Sequence, residues 1–105
     1  MHADQVVTGL KELAALTSTA DGAQRVAWGP VWRQARAWFA AQARDLGVEG
    51  RTDPAGNTWY TLKGESDETV IIGGHLDSVP NGGWLDGALN VMAGVEVLRR
   101  IAAEG

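Results

Sequence analysis

The chain has 105 residues, with 13 acidic side chains against 9 basic ones and a formal net charge of −4. This length fits one small domain and excludes most complete multidomain enzymes. A hydrophobic share of 45% and a charged share of 21% are ordinary for a globular protein and argue against disorder. The mild acidity, without a basic stripe, argues against nucleic acid as the main partner.

The absence of cysteine and of long apolar runs bears on where the protein works. Disulfide bonds and thiolate metal sites are excluded because the sequence contains no cysteine. Residues 1–16 have neither the basic start nor the apolar stretch of a signal peptide. No stretch approaches the roughly 18 apolar residues of a membrane span. We therefore expect a cytoplasmic protein with no membrane partner.

Three segments have the periodicity of helices. Residues 4–16 carry apolar side chains at helical spacing, and Asp4 is predicted to cap them. A second helix is predicted to begin at Pro30, because proline suits the first helical position, and to end at Gly47. Residues 84–103 are helical again and apolar on nearly all sides, which predicts that most of this helix is buried.

Three short segments between the second and third helices have the character of strands. Residues 48–51 and 58–62 flank the sequence DPAGN at residues 53–57, which predicts a tight turn with its glycine at positive φ. Residues 69–72 are an unbroken β-branched run, typical of a strand buried on both faces. The order of elements predicts an α/β fold with two helices, a short mixed sheet of about three strands and a C-terminal helix.

The sequence GGHLDSVPNGGWLDG at residues 73–87 carries the candidate chemistry. The predicted buried strand delivers His75 and Asp77 to the carboxyl edge of the sheet, where α/β proteins place ligands. A glycine-rich loop then leads to Asp86, at the start of the last helix. Imidazole and carboxylate together suit a divalent transition metal. Asp77 follows His75 by two residues, so we expect it to accept the other ring N–H of that histidine.

The short H-x-D pattern alone is not specific. It occurs again at His2-Ala3-Asp4, where a frayed or capping segment is the simpler interpretation. For His75 alone, a structural histidine is as good an interpretation as a ligand. The preceding strand, the glycine loop and the second aspartate favour a metal site.

The longer pattern resembles the zinc-ligand segment of one enzyme family. This is the family of N-carbamoyl-L-amino-acid hydrolase, β-ureidopropionase and allantoate amidohydrolase, within the zinc aminoacylase and carboxypeptidase superfamily. The turn at residues 53–57 is similar to the D-x-x-G-N turn of that family. By this resemblance, residues 1–105 form a single, incomplete segment of a zinc-peptidase-like catalytic domain. The residues that carry the resemblance are Gly74, His75, Asp77-Ser78-Val79, Gly82-Gly83 and Asp86-Gly87.

The resemblance also implies a role for each site residue. His75 would ligate one metal ion, Asp86 would bridge both ions of a binuclear zinc centre, and Asp77 would be the catalytic partner behind His75. Manganese and cobalt are alternative metals. The implied reaction is hydrolysis of a linear carbamoyl or amidine C–N bond in a small N-carbamoyl or ureido substrate. Water held between the metals attacks the carbon while a glutamate shuttles the proton.

Members of this family are several times longer than 105 residues. Their general-base glutamate, a second metal-binding glutamate and further histidines lie downstream of the matched segment. We therefore expect a fragment or truncated form of the amidohydrolase that is inactive alone. The alternative is a catalytically dead α/β interaction module that oligomerises or binds a partner. Unpaired sheet edges, the apolar last helix and five tryptophans predict a homo-oligomer.

Overall fold

The computed structural model describes residues 2–48 and 50–104. Within them, three helices alternate with two antiparallel strand pairs, so the predicted α/β class is confirmed. The strand β1 pairs with β2, and β3 pairs with β4. The elements are α1 (Ala3–Thr17), β1 (Ser18–Thr19), β2 (Gly22–Ala23), α2 (Pro30–Asp45), β3 (Gly50–Thr52), β4 (Thr58–Tyr60) and α3 (Ala88–Glu104).

The core lies between the three helices rather than on a sheet. Helix α1 contacts both α2 and α3. Leu76 packs against this core although it belongs to the loop before α3. This apolar contact of Leu76 therefore anchors the two neighbouring residues, His75 and Asp77. The buried cluster consists of Leu10, Leu13, Ala35, Ala88 and Met92.

The hairpin of β3 and β4 forms around the predicted turn. Gly50 pairs with Tyr60, and Thr52 pairs with Thr58. The backbone N–H of Asp53 donates to the carbonyl of Asn57, and Gly56 has a φ of 94°, as the turn chemistry predicts. The predicted strand at residues 48–51 is observed as β3 from Gly50 to Thr52; Val48 lies outside the strand, and residue 49 lies outside the described residues.

Residues 69–72 do not form the predicted strand. Val70 is 90% exposed and Ile71 is 69% exposed, so the prediction of burial on both faces is wrong. A strand needs a neighbour to bond its backbone, and none of the four strands among the described residues pairs with residues 69–72. The predicted mixed sheet of three strands is therefore replaced by two separate antiparallel pairs.

Helix α1 begins one residue earlier than predicted and is capped differently. His2 occupies the N-cap position, and Asp4 lies inside the first turn, so the prediction of Asp4 as the cap is wrong. The backbone N–H of His2 donates to Glu96 Oε1 at 3.0 Å. This hydrogen bond ties the start of α1 to α3.

Helix α3 begins at Ala88 rather than at Trp84, and it is less buried than predicted. Gly87 has a φ of 71°, which a right-handed helix does not accept, so the helix starts after it. Leu89 and Ile101 remain 45% and 50% exposed. The apolar outer face of α3 therefore contacts solvent. Among the described residues, no helix is long and apolar enough to cross a membrane.

Candidate metal centre

The loop before α3 is held in place by β2 and by Arg25, which follows that strand. Ala23 and Gly82 exchange two backbone hydrogen bonds, of 2.8 and 2.9 Å. The backbone N–H of Ser78 donates to the carbonyl of Arg25 at 2.8 Å, and Ser78 Oγ accepts from the Arg25 N–H at 3.0 Å. The candidate site is therefore attached to the fold by a short antiparallel pairing.

The contact between His75 and Asp77 determines which ring nitrogen of the neutral imidazole carries the proton. His75 Nδ1 lies 3.0 Å from the backbone oxygen of Asp77 and 3.1 Å from Asp77 Oδ1. Both partners are acceptors, so in the neutral ring Nδ1 carries the proton. The lone pair of Nε2 is then free for a metal ion.

Asp86 lies on the other side of the same ring. Its Oδ2 is 3.8 Å from His75 Nε2, which is too long for a hydrogen bond. Zinc binds imidazole nitrogen and carboxylate oxygen at about 2.0–2.2 Å, so one ion placed between these two atoms can contact both. The side chain of Asp86 is 79% exposed and is free to adjust. This pair of residues therefore fits a zinc ion.

Two glycines allow His75 to lie against the start of α3. A Cβ at Gly87 would collide with the imidazole ring and with the His75 carbonyl oxygen. A Cβ at Gly74 would lie 2.8 Å from Asn90 Cβ. Only glycine at both positions lets the two backbones approach this closely.

The described residues supply an incomplete set of metal ligands. In residues 2–48 and 50–104, no group of three or more His, Cys, Asp or Glu side chains is arranged to hold a metal ion. A catalytic zinc usually has three protein ligands and a water. Glu96 is not available, because its carboxylate accepts from the His2 backbone and from Arg99. The His2 N–H, together with Arg99, holds the pKa of Glu96 below its ordinary value against the opposing effect of burial.

Arg25 is the residue of this site that the sequence did not reveal. Its side chain is completely buried, and its Nε donates to the carbonyl of Leu76. Burial lowers the pKa of the guanidinium, while the carboxylates of Asp77 and Asp86 oppose that shift. A single arginine in the stretch GAQRVAW carries no pattern by which it could have been predicted.

An open cleft of about 740 Å³ borders His75 and Asp77. This volume is in the range of pockets that bind small molecules. The rings of Trp28 and Trp32 meet edge to face with their centroids 4.9 Å apart, and the Trp28 side chain is 65% exposed. The aromatic side chains of the lining are Trp28, Trp32, Phe39, Trp59 and Tyr60.

Comparison with known proteins finds matches to one peptidase family and to amidohydrolases. The model of peptidase family M28 matches residues 57–105. N-carbamoyl-L-amino acid amidohydrolase from Geobacillus stearothermophilus is 37% identical over 86 residues, covering 80% of this chain and 21% of that protein. Allantoate amidohydrolase from Bacillus subtilis (strain 168) is 34% identical over 92 residues, covering 85% of this chain and 22% of that protein.

A solved structure agrees with these relatives. The crystal structure of a hydantoinase/carbamoylase family amidase from Burkholderia ambifaria has a TM-score of 0.93 to this chain at 32% identity. Over most of its length the chain is similar to carbamoylases and allantoate amidohydrolases. The carbamoylase-family match covers 100% of this chain and 27% of the Burkholderia chain. This chain therefore spans about a quarter of the length of the family members it matches.

The matched regions include the whole candidate site. His75, Asp77 and Asp86 all lie within residues 57–105, which the model of peptidase family M28 matches. Arg25 lies outside that range but inside the part matched by the Burkholderia structure, which covers the entire chain. Most of each relative has no counterpart here.

Proposed function

We propose that this chain carries part of the binuclear zinc centre of an amidohydrolase that cleaves linear C–N bonds in small N-carbamoyl or ureido substrates. His75 and Asp86 are the metal ligands, and Asp77 orients His75. Zinc is the proposed metal, with manganese or cobalt as alternatives. The supporting observation is the position of the His75 ring, with Nδ1 on Asp77 and Nε2 facing Asp86 at 3.8 Å. The names of the Geobacillus and Bacillus relatives support the substrate class.

The chain's own residues prepare the metal ligands. Asp77 keeps the proton on Nδ1 and so presents the Nε2 lone pair, as carboxylates behind metal-binding histidines commonly do. Asp86 adds negative charge beside that lone pair. When bound, zinc supplies the acidification of a water molecule. The half-exposed ring of His75 and the adjoining cleft leave room for a small substrate.

Residues 1–105 are proposed to be a single, incomplete segment of the catalytic domain that is inactive alone. The reaction needs a proton-shuttling carboxylate, and Glu96 already accepts hydrogen bonds from His2 and Arg99. We propose that the third ligand and the shuttle come from residues outside the described part.

The test is a calorimetric titration of zinc into the chain and into single variants. Because two ligands hold zinc less well than three, we expect weak binding that is lost in His75→Ala and in Asp86→Ala. His2→Ala is the matched control, since it removes the histidine of the other H-x-D pattern, and it should bind as the wild type does. Equal affinity in wild type and His75→Ala would overturn the proposal.

A second candidate function is a catalytically dead interaction module. The exposed apolar residues Val70 and Ile71, at the rim of the cleft, favour it. The titration separates the two functions, because such a module binds no zinc at His75. Its partner surface would instead be residues 69–72.

A further inference from the structure

We propose that Arg25 is a positioning residue that fixes the tautomer of His75 by holding the peptide groups on both sides of Asp77. The use of that tautomer for metal binding rests on the proposed function. The tautomer itself is a property of the metal-free chain and can be measured separately.

Three hydrogen bonds join Arg25 to the residues around Asp77. The guanidinium Nε donates to the carbonyl of Leu76, which belongs to the peptide group before Asp77. The Arg25 carbonyl accepts from the Ser78 N–H at 2.8 Å, which belongs to the peptide group after Asp77. Ser78 Oγ accepts from the Arg25 N–H at 3.0 Å. Arg25 is therefore hydrogen-bonded to the peptide groups on both sides of Asp77.

The tautomer of His75 depends on these hydrogen bonds because the ring lies between two carboxylates. On one side, Nδ1 has two acceptors from Asp77, at 3.0 and 3.1 Å. On the other side, Nε2 faces Asp86 Oδ2 at 3.8 Å. Either nitrogen can carry the single proton of the neutral ring, and the better hydrogen bond decides which does. If Asp77 is released, the exposed Asp86 can move to accept from Nε2, and the lone pair moves to Nδ1.

The burial of Arg25 indicates that its hydrogen bond to Leu76 has a role beyond filling space in the core. The whole side chain is buried, and the other two guanidinium nitrogens have no partner in the described part of the chain. Burying an arginine with unsatisfied donors is unfavourable, and an apolar side chain of similar size would avoid that cost. Arginine differs from such a side chain in the fixed geometry of its donors and in its charge near Asp77 and Asp86.

The experiment is long-range ¹H–¹⁵N correlation NMR on the metal-free, ¹⁵N-labelled chain. It is recorded at about pH 9, above the ordinary pKa of imidazole, where the ring is neutral. We expect the Nδ1–H form in the wild type. In Arg25→Met we expect the tautomer ratio to shift towards Nε2–H by about two- to tenfold, the net worth of one hydrogen bond. Arg33→Met, which alters an exposed arginine of α2, is the matched control and should keep the wild-type spectrum.

Two further measurements make the result decisive. If Arg25→Met does not fold by circular dichroism, Ser78→Ala removes another bond of the same set and should shift the ratio in the same direction. An unchanged tautomer in the folded variant, or an Nε2–H wild type, would overturn the inference. Failure of the wild type to bind zinc, with the tautomer shift still present, would instead remove only the proposed function.

Discussion

Gly87 and His75 are packed so closely that no side chain can lie between them. A Cβ at position 87 would collide with the imidazole ring and with the His75 carbonyl oxygen, and the residue has a φ of 71°. Asp86 is the residue immediately before this contact. The distance between His75 Nε2 and Asp86 is therefore set by the glycine rather than by either ligand alone.

Gly87→Ala should consequently be more damaging than an ordinary glycine substitution at positive φ. Gly47 is a matched control, because its φ is 77° and a Cβ there would meet nothing within 4 Å. Gly47→Ala should lower the free energy of unfolding by about 1–2 kcal/mol, the cost of the left-handed conformation. Gly87→Ala should lower it further and abolish zinc binding. Urea denaturation and zinc titration measure both effects, and equal losses in the two variants would contradict the argument.

The stability of the β3–β4 hairpin should depend on the ionisation of Asp53. The indole N–H of Trp59 donates to Asp53 Oδ2 at 2.9 Å, and the backbone N–H of Asn57 donates to Oδ1 at 2.9 Å. Trp59 first, and then Asn57, hold the pKa of this carboxyl below its ordinary value. A carboxyl with a lowered folded-state pKa stabilises the fold above its unfolded pKa of about 3.9. That contribution is lost as the pH falls through the folded-state value.

The corresponding experiment compares thermal unfolding of wild type and Asp53→Ala between neutral pH and acid. The variant should be less stable at neutral pH, and the difference should shrink below about pH 4. Asp67→Ala is the control, because that aspartate lies exposed in the loop after β4 and its carboxylate has no hydrogen bond among the described contacts. A difference for Asp53→Ala that stays constant across this range would show that the charge is not involved.

The sequence predicts those parts of the molecule whose causes are local. Pro30 and the apolar spacing after it predict α2, and DPAGN predicts the hairpin turn, because both depend only on neighbouring residues. The spacing of His75 and Asp77 likewise places them within reach of each other. Residues 69–72 are different, since the burial of a β-branched run depends on strands that lie elsewhere in a chain. Arg25 reaches Leu76 across 51 positions, and no local pattern reports such a contact.

The exposed run at residues 69–72 should cause self-association. Val70, Ile71 and Ile72 are 90%, 69% and 49% exposed and line the open cleft. Edges and patches of this kind pair with other chains, so we expect a homo-oligomer at tens of micromolar. Ile71→Lys should weaken this self-association. Leu16→Lys is the control and should leave the self-association unchanged, because it alters an apolar residue of α1 that is 47% exposed. Sedimentation of a stable wild-type monomer at that concentration would contradict the prediction.

The 105-residue chain should not hydrolyse N-carbamoyl amino acids or allantoate at a measurable rate. General acid–base catalysis is typically worth about 10²–10⁴-fold, and Glu96 cannot provide it while it binds His2 and Arg99. With only His75 and Asp86 as ligands, a zinc ion is held weakly and acidifies its water in only a small fraction of molecules. Loss of substrate positioning costs several kcal/mol more. These losses multiply, and the rate should approach that of the uncatalysed reaction.

The assay follows release of ammonia or amino acid with added zinc, manganese or cobalt. Allantoate amidohydrolase from Bacillus subtilis, of which the matched part covers 22%, serves as the positive control under the same conditions. A second chain that supplies a glutamate and further histidines should restore activity, because His75 and Asp86 already face each other at 3.8 Å. Metal-dependent turnover by this chain alone that disappears in Asp86→Ala would mean that two copies, or residues not identified above, complete the centre.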